Sequence, residues 1–252
     1  MTKNRLLVIL GVLGLIFIAI IFLVPLSQET RQAAPKDNSM ADRYKPARNF
    51  LTRDIEEKED YGLYSYILFT QKPEKEDSLK YTEIIKSYLD KIPELEDLSV
   101  FLDDSSINVV YYPTVEDPRD ILNTQSTEEC INWLLENYDY ARASYLLGKI
   151  DADLNMGPYI VSYKFALSNS GIINEYYLLQ DFSKVHYKVV SLWMDEFLEQ
   201  SSLVEFWNNE ELKNFSNDLR NAIAIGAEGL TEIKKSFLWW EETLQGWIVF
   251  RN

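Results

Sequence analysis

The chain has 252 residues, with 25 Lys and Arg set against 40 Asp and Glu, a formal net charge of −15 at pH 7. A surface this acidic repels nucleic-acid phosphate and anionic lipid alike, which argues against DNA or RNA as a partner. A single cysteine, Cys130, excludes an intrachain disulfide, and a single histidine, His186, excludes zinc sites built on paired histidines.

From Leu6 to Val24 every position is apolar or glycine, and no charge lies between Arg5 and Glu29. A helix of that length is about 28 Å long, close to the ~30 Å hydrocarbon core of a bilayer. The expectation is a single-pass, signal-anchor type transmembrane helix over residues 6–26 behind a short basic N-terminus at 1–5. Pro25-Leu26-Ser27-Gln28 follows it in place of a small-residue cleavage site, which favours a retained anchor over a cleaved signal peptide. Lys3 and Arg5 before the segment favour an inside N-terminus, although Arg31, Lys36, Arg43 and Lys45 follow it. On that reading the body of the protein is extracytoplasmic, in a periplasm-like space at a cell membrane. Gly11 and Gly14 are three apart and do not form a GxxxG dimer face.

Residues 27–48 are polar and lack apolar periodicity, the pattern of a flexible tether. Residues 49–252 are expected to form a soluble α+β domain, with an α/β part at 49–182 and a mostly helical part at 183–252. Residues 53–60 read as a solvated charge run. Residues 62–70 (GLYSYILFT) are rich in aromatic and β-branched side chains and predict a buried strand. A helix is expected from Pro73 to about Ile92, its apolar face supplied by Leu79, Ile84, Ile85, Tyr88, Leu89 and Ile92. A short helical turn over 94–102 and a strand over 107–112 (INVVYY) follow. Strand, helix and strand suggest a βαβ unit with parallel strands. Ser126-x-x-Glu129 is a capping-box pattern and opens a helix expected to run to about Leu147. Residues 158–166 and 175–180 predict two more strands, paired as an antiparallel hairpin. Beyond Ser183 the spacing is helical, and a stripe from Leu212 to Leu244 has nearly heptad intervals, suggesting a C-terminal helical hairpin. Residues 247–250 read as a last short strand.

No P-loop, Gly-x-Ser-x-Gly elbow or Gly-x-Gly-x-x-Gly is present. Asp151, Asp153 and Asn155 have the 1-3-5 spacing of a calcium loop, but Met156 and Ser162 stand where the loop needs Gly and Glu, so a polar turn is favoured. Cys130 and His186 fall on separate predicted elements, which disfavours a nucleophile–base pair. With no cofactor, metal or catalytic residue assigned, the chain is expected to be a non-enzyme. The leading reading is a membrane-anchored interaction or assembly module of a bacterial-type envelope complex, partnered by another protein or by self-association. Its candidate surface residues are Tyr61, Tyr64, Tyr66, Phe237, Trp240 and Trp247. Two alternatives stand beside it: an extracytoplasmic binding module for a peptide, glycan or small ligand near the tyrosines of 61–66 and 159–163, and a carboxylate-based hydrolase.

Overall fold

The computed structural model describes residues 43–75, 77–150, 157–171, 177–183 and 185–202. Five strands form one mixed sheet: β1 (Lys45–Leu51), β2 (Leu63–Phe69), β3 (Ile107–Pro113), β4 (Pro158–Tyr163) and β5 (Leu178–Asp181), in the order β1-β3-β2-β4-β5. β3 is parallel to both β1 and β2, whereas β4 is antiparallel to β2 and to β5. Every residue of β2, β3 and β4 is buried. The sheet is therefore covered on both faces, which is why these strands read as continuous apolar runs without polar alternation.

One face carries α1 (Ser78–Lys91) and α6 (Tyr187–Ser201). The Tyr88 hydroxyl of α1 donates to the Asn49 and Val110 carbonyls at 2.7 and 3.2 Å. Tyr81 packs edge-on against Phe69 with ring centroids 4.6 Å apart. From α6, the Trp193 indole donates to Gln180 Oε1 of β5 at 2.7 Å. A polar seam crosses this face: Ser65 Oγ donates to Asn108 Oδ1 at 2.9 Å and lies 2.8 Å from Ser162 Oγ. A buried seam of this kind penalises any shift in strand register, because slippage would leave its polar atoms unpaired. Leu79, expected on the apolar face of α1, is exposed, and Tyr81 is buried in its place.

Beyond Tyr66, β2 and β3 cease to pair, while β3 stays paired with β1 as far as Pro113. The gap is filled by residues 137–139. Val115 N–H donates to the Asn137 carbonyl at 2.8 Å and Asp139 N–H to the Pro113 carbonyl at 3.3 Å. The Tyr138 hydroxyl completes the join. It donates to the Ile67 carbonyl at 3.0 Å and accepts from Phe69 N–H at 2.8 Å, while its ring stacks on Phe69 at 4.7 Å.

This wedge accounts for one departure from the expected elements. The helix expected from Ser126 to Leu147 is two helices, α4 (Thr127–Glu136) and α5 (Tyr140–Leu147), separated by the residues that pair with β3. Ser126 caps α4 with the full capping box, and Asp139 caps α5 by accepting from Arg142 N–H at 3.0 Å. Two short helices complete these elements: α2 (Leu95–Ser99) follows Glu94, which bridges to Arg48 of β1, and α3 (Arg119–Thr124) packs against α4. A second departure is β1, which begins at Lys45, inside the stretch read as a tether. Its residues lack a run of apolar side chains, and its pairing comes from β3.

The largest correction concerns the membrane. Among the described residues no helix is long and apolar enough to cross a membrane. The longest, α6, has 15 residues, giving about 22 Å against the ~30 Å a bilayer core requires. The segment read as a signal anchor, residues 6–26, lies outside the described residues. The single-pass transmembrane architecture, the membrane as a partner, the extracytoplasmic cell-membrane location and the envelope-complex role are accordingly set aside. What stands is an α+β domain with a mixed five-stranded sheet and several helices. The C-terminal helical stripe and the strand expected at 247–250 also fall outside the described residues.

Tyr138→Phe keeps the ring and removes the hydroxyl, leaving a buried carbonyl and a buried N–H of β2 unpaired. The expected loss of stability is about 3 kcal/mol, measured by urea unfolding. A loss below ~1 kcal/mol would mean that the gap between β2 and β3 closes without this hydroxyl.

Candidate functional site

The connection from β1 to β2, residues 52–62, returns the chain to the end of the sheet where β2 and β3 begin. It lies over the sheet face opposite α1. Tyr66 and Tyr111 point to that side and stack with centroids 5.7 Å apart. The connection is held from below by phenols. Tyr64 Oη accepts from Tyr61 N–H at 3.1 Å and donates to the Lys58 carbonyl at 3.0 Å. Asp60 has φ of 79°, a left-handed conformation that asparagine and aspartate tolerate better than other non-glycine residues. At Gly62 the chain passes so close to the Ser105 carbonyl and the Tyr44 ring that a Cβ would overlap both.

The turn that follows β4, residues 164–171, is strapped to this connection. Ser168 donates from both its N–H, at 2.7 Å, and its hydroxyl to Glu57 Oε2. Leu167 N–H donates to Tyr66 Oη at 2.9 Å, and Asn169 Nδ2 to Glu59 Oε1 at 3.0 Å. Lys149 Nζ reaches the Ser170 carbonyl at 2.9 Å. Glu57 is only 4% exposed, so a residue expected in a solvated charge run is instead a buried clamp.

Between the two segments lies a cavity of about 460 Å³, lined on one side by Glu59, Asp60, Tyr61 and Tyr64 and on the other by Lys164, Phe165 and Asn169. This is within the ~300–1,000 Å³ range of ligand sites. Phe165 is 54% exposed and sits edge-on to Tyr163 at 5.6 Å, an apolar ring presented at the rim. Lys58 Nζ lies 5.4 Å over the Tyr61 ring and pairs with Asp104 at 2.5 Å.

Burial first, then the charges of Asp104 and Glu96, push the Tyr61 phenol up to about 12. Tyr64 is raised by burial, partly offset by its bond from the Tyr61 backbone, and raised further by Asp60 and Glu57. Tyr66, fully buried, is held well above the ordinary phenol value by desolvation and then by Glu57.

A second cavity, about 150 Å³, lies among Arg48, Glu94, Glu96, Asp117 and Arg119. Its cations are committed. Arg48 donates to the Leu89 and Ile92 carbonyls at 2.8 and 2.7 Å, capping the end of α1, and to Glu94 at 2.6 Å. Arg119 pairs with Asp117 and, at 3.5 Å, with Glu96. This cluster holds α1, α2 and β1 together.

Of the residues singled out by sequence, Tyr61 and Tyr64 line the larger cavity, while Tyr66 lies beneath it in the core. Phe237, Trp240 and Trp247, and the weak metal candidates Asp151, Asp153 and Asn155, lie outside the described residues. Among the described residues no group of three or more His, Cys, Asp or Glu side chains is placed to hold a metal ion. Cys130 is buried in the first turn of α4, and burial raises its thiol. His186 Nδ1 accepts from Lys188 N–H at 3.3 Å at the start of α6. Sequence reasoning missed Glu57, Glu59, Asp60, Lys164 and Phe165. The available signal was the acidic run leading directly into Tyr61-Gly62.

Two outcomes follow from this geometry. Asp60→Asn retains a side chain suited to positive φ and leaves stability within ~0.5 kcal/mol, whereas Asp60→Val costs about 1–2 kcal/mol, both read by thermal unfolding. The raised phenols also set an alkaline limit. Their folded-state values lie above the unfolded value, so their contribution is complete below pH ~10 and is lost as pH rises through about 12. Phenolate absorbance and unfolding should therefore rise together in that window. Titration of the Tyr61 phenol near pH 10 in the folded protein, read as the absorbance difference from Tyr61→Phe, would contradict its burial.

Comparisons with known protein families, with curated proteins and with solved structures find no match to this chain.

Proposed function

We propose that this α+β domain is a non-catalytic polypeptide-recognition module, and that the cavity between residues 59–64 and 164–170 is its recognition site. The observation that carries this reading is the pairing of an exposed aromatic ring at the rim, Phe165, and a largely buried one in the lining, Tyr61, with polar groups on a wall strapped in place by Glu57 and Tyr66. Interfaces draw their energy from a few aromatic anchors seated among such polar groups. A wall held by five side-chain-mediated bonds is already ordered, so binding loses little conformational entropy there.

Hydrolysis by carboxylates fits this cavity less well. That chemistry needs two acids facing one another across a cleft. Here Glu59 and Asp60 are neighbours on one wall, and the opposite wall presents Lys164, Phe165, Ala166, Asn169 and Ser170.

The test is retention of the full chain on an array of short peptides of varied composition. A discrete set of peptides is expected to bind, with signals reduced about tenfold by Phe165→Ala. Because Phe165 is exposed, that variant should change thermal stability by less than ~0.5 kcal/mol. Retention of no peptide, or binding indifferent to Phe165→Ala, would overturn the reading.

A further inference from the structure

We propose that the cavity takes a cationic polypeptide segment, which lays an arginine or lysine against Glu59 and Asp60 and a neighbouring apolar side chain against Phe165 and Tyr61. The proposal rests on the recognition reading above and narrows the partner's chemistry.

Two observations point the same way. First, the charged lining is unequal: Glu59 and Asp60 stand against Lys164 alone. Glu59 spends one oxygen on Asn169, at 3.0 Å, and Asp60 is exposed at the tip of the connection, so both carboxylates can accept from a donor in the cavity. Second, a further carboxylate, Glu57, is buried behind the wall, while Asp104 is matched by Lys58 and Lys149 Nζ is bound to the Ser170 carbonyl at 2.9 Å. An anionic segment entering here would meet like charge in a partly desolvated space, which costs more than at an open surface. Lys58, whose ammonium lies 5.4 Å over the Tyr61 ring, is matched by Asp104, which leaves Glu59 and Asp60 for the partner.

Lys164 enters on the aromatic wall rather than beside the two acids. It disfavours a uniformly basic segment and suits one in which cations and apolar residues alternate. The whole chain's charge of −15 acts at longer range, speeding the approach of a basic partner in a salt-dependent way.

The experiment uses the full chain and three fluorescein-labelled heptapeptides, read by anisotropy: Gly-Arg-Leu-Arg-Phe-Arg-Gly, its counterpart with Glu in place of Arg, and its counterpart with Gln. The expected result is binding of the Arg peptide, weakening as salt rises, with the Glu peptide not bound. The double variant Glu59→Gln/Asp60→Asn should weaken the Arg peptide about tenfold, and Phe165→Ala should weaken it as well. Both changes in the double variant preserve the local fold: glutamine can still accept from Asn169, and asparagine suits the positive φ at position 60. If the Arg peptide binds the double variant as tightly as the wild-type chain, the assignment of Glu59 and Asp60 is wrong. If the Gln or Glu peptide binds best and Phe165→Ala abolishes it, the recognition reading stands and the cationic partner is overturned. If none of the three binds, the cationic proposal fails, while the wider peptide array decides the recognition reading separately.

Discussion

The fold depends on one hydroxyl. Where β2 parts from β3, two backbone groups of β2 would be left without partners inside the core, and Tyr138 supplies both, donating to Ile67 and accepting from Phe69. Buried peptide groups left unpaired cost roughly 1–3 kcal/mol each, a large share of a domain's margin of stability of about 5–15 kcal/mol. The same three residues extend β3, divide what periodicity alone would make a single helix, and start α5 through the Asp139 cap. Asp139 also takes an ion pair from Arg53, on the connection that leaves β1. One short segment thus ties the C-terminal ends of β2 and β3 to the connection that forms one wall of the candidate site.

The site owes its shape to a comparable economy of polar contacts. The β1–β2 connection has no regular structure of its own, so its buried backbone groups find partners outside a ladder, several of them side chains. Tyr64 does this for residues 58 and 61, and Glu57 and Tyr66 do it for residues 167 and 168 across the gap. Two loops that would otherwise move independently are fixed to the sheet by groups inside the core. Only the outer ring of side chains, among them Phe165, Glu59 and Asp60, remains for a partner. The acidity of the chain as a whole and the acidity of this cavity have the same sign, so long-range attraction and local complementarity would select the same class of partner.

Much of the local structure was legible because it follows from nearest neighbours. The buried strands at 62–70, 107–112 and 158–166 showed as apolar runs, the capping box at Ser126 showed as a spacing, and Pro113 marked a strand end. Parallel pairing of β2 and β3 followed from the length of the helix between them. Three things were not legible. β1 has no apolar run, because its place at the sheet edge depends on pairing with residues more than fifty positions away. The break at Asn137–Asp139 carries no glycine or proline, because it is imposed by pairing with β3. Glu57 looks like any member of an acidic run until Ser168 is placed beside it.

Composition, charge and periodicity by themselves determined the acidic character, the exclusion of an intrachain disulfide, the identity of most of the described strands and helices, and the absence of the familiar nucleotide and nucleophile motifs. Those properties are sums over residues or patterns within one element, so no long-range contact is needed to read them. The tertiary structure alone decided the strand order, the splitting of one expected helix into two, which acidic residues are buried and which face the cavity, and that the described domain contains no helix able to cross a membrane. Each of these turns on which distant backbone and side-chain groups satisfy one another once water is excluded, and that pairing is a property of the folded chain rather than of any window along it.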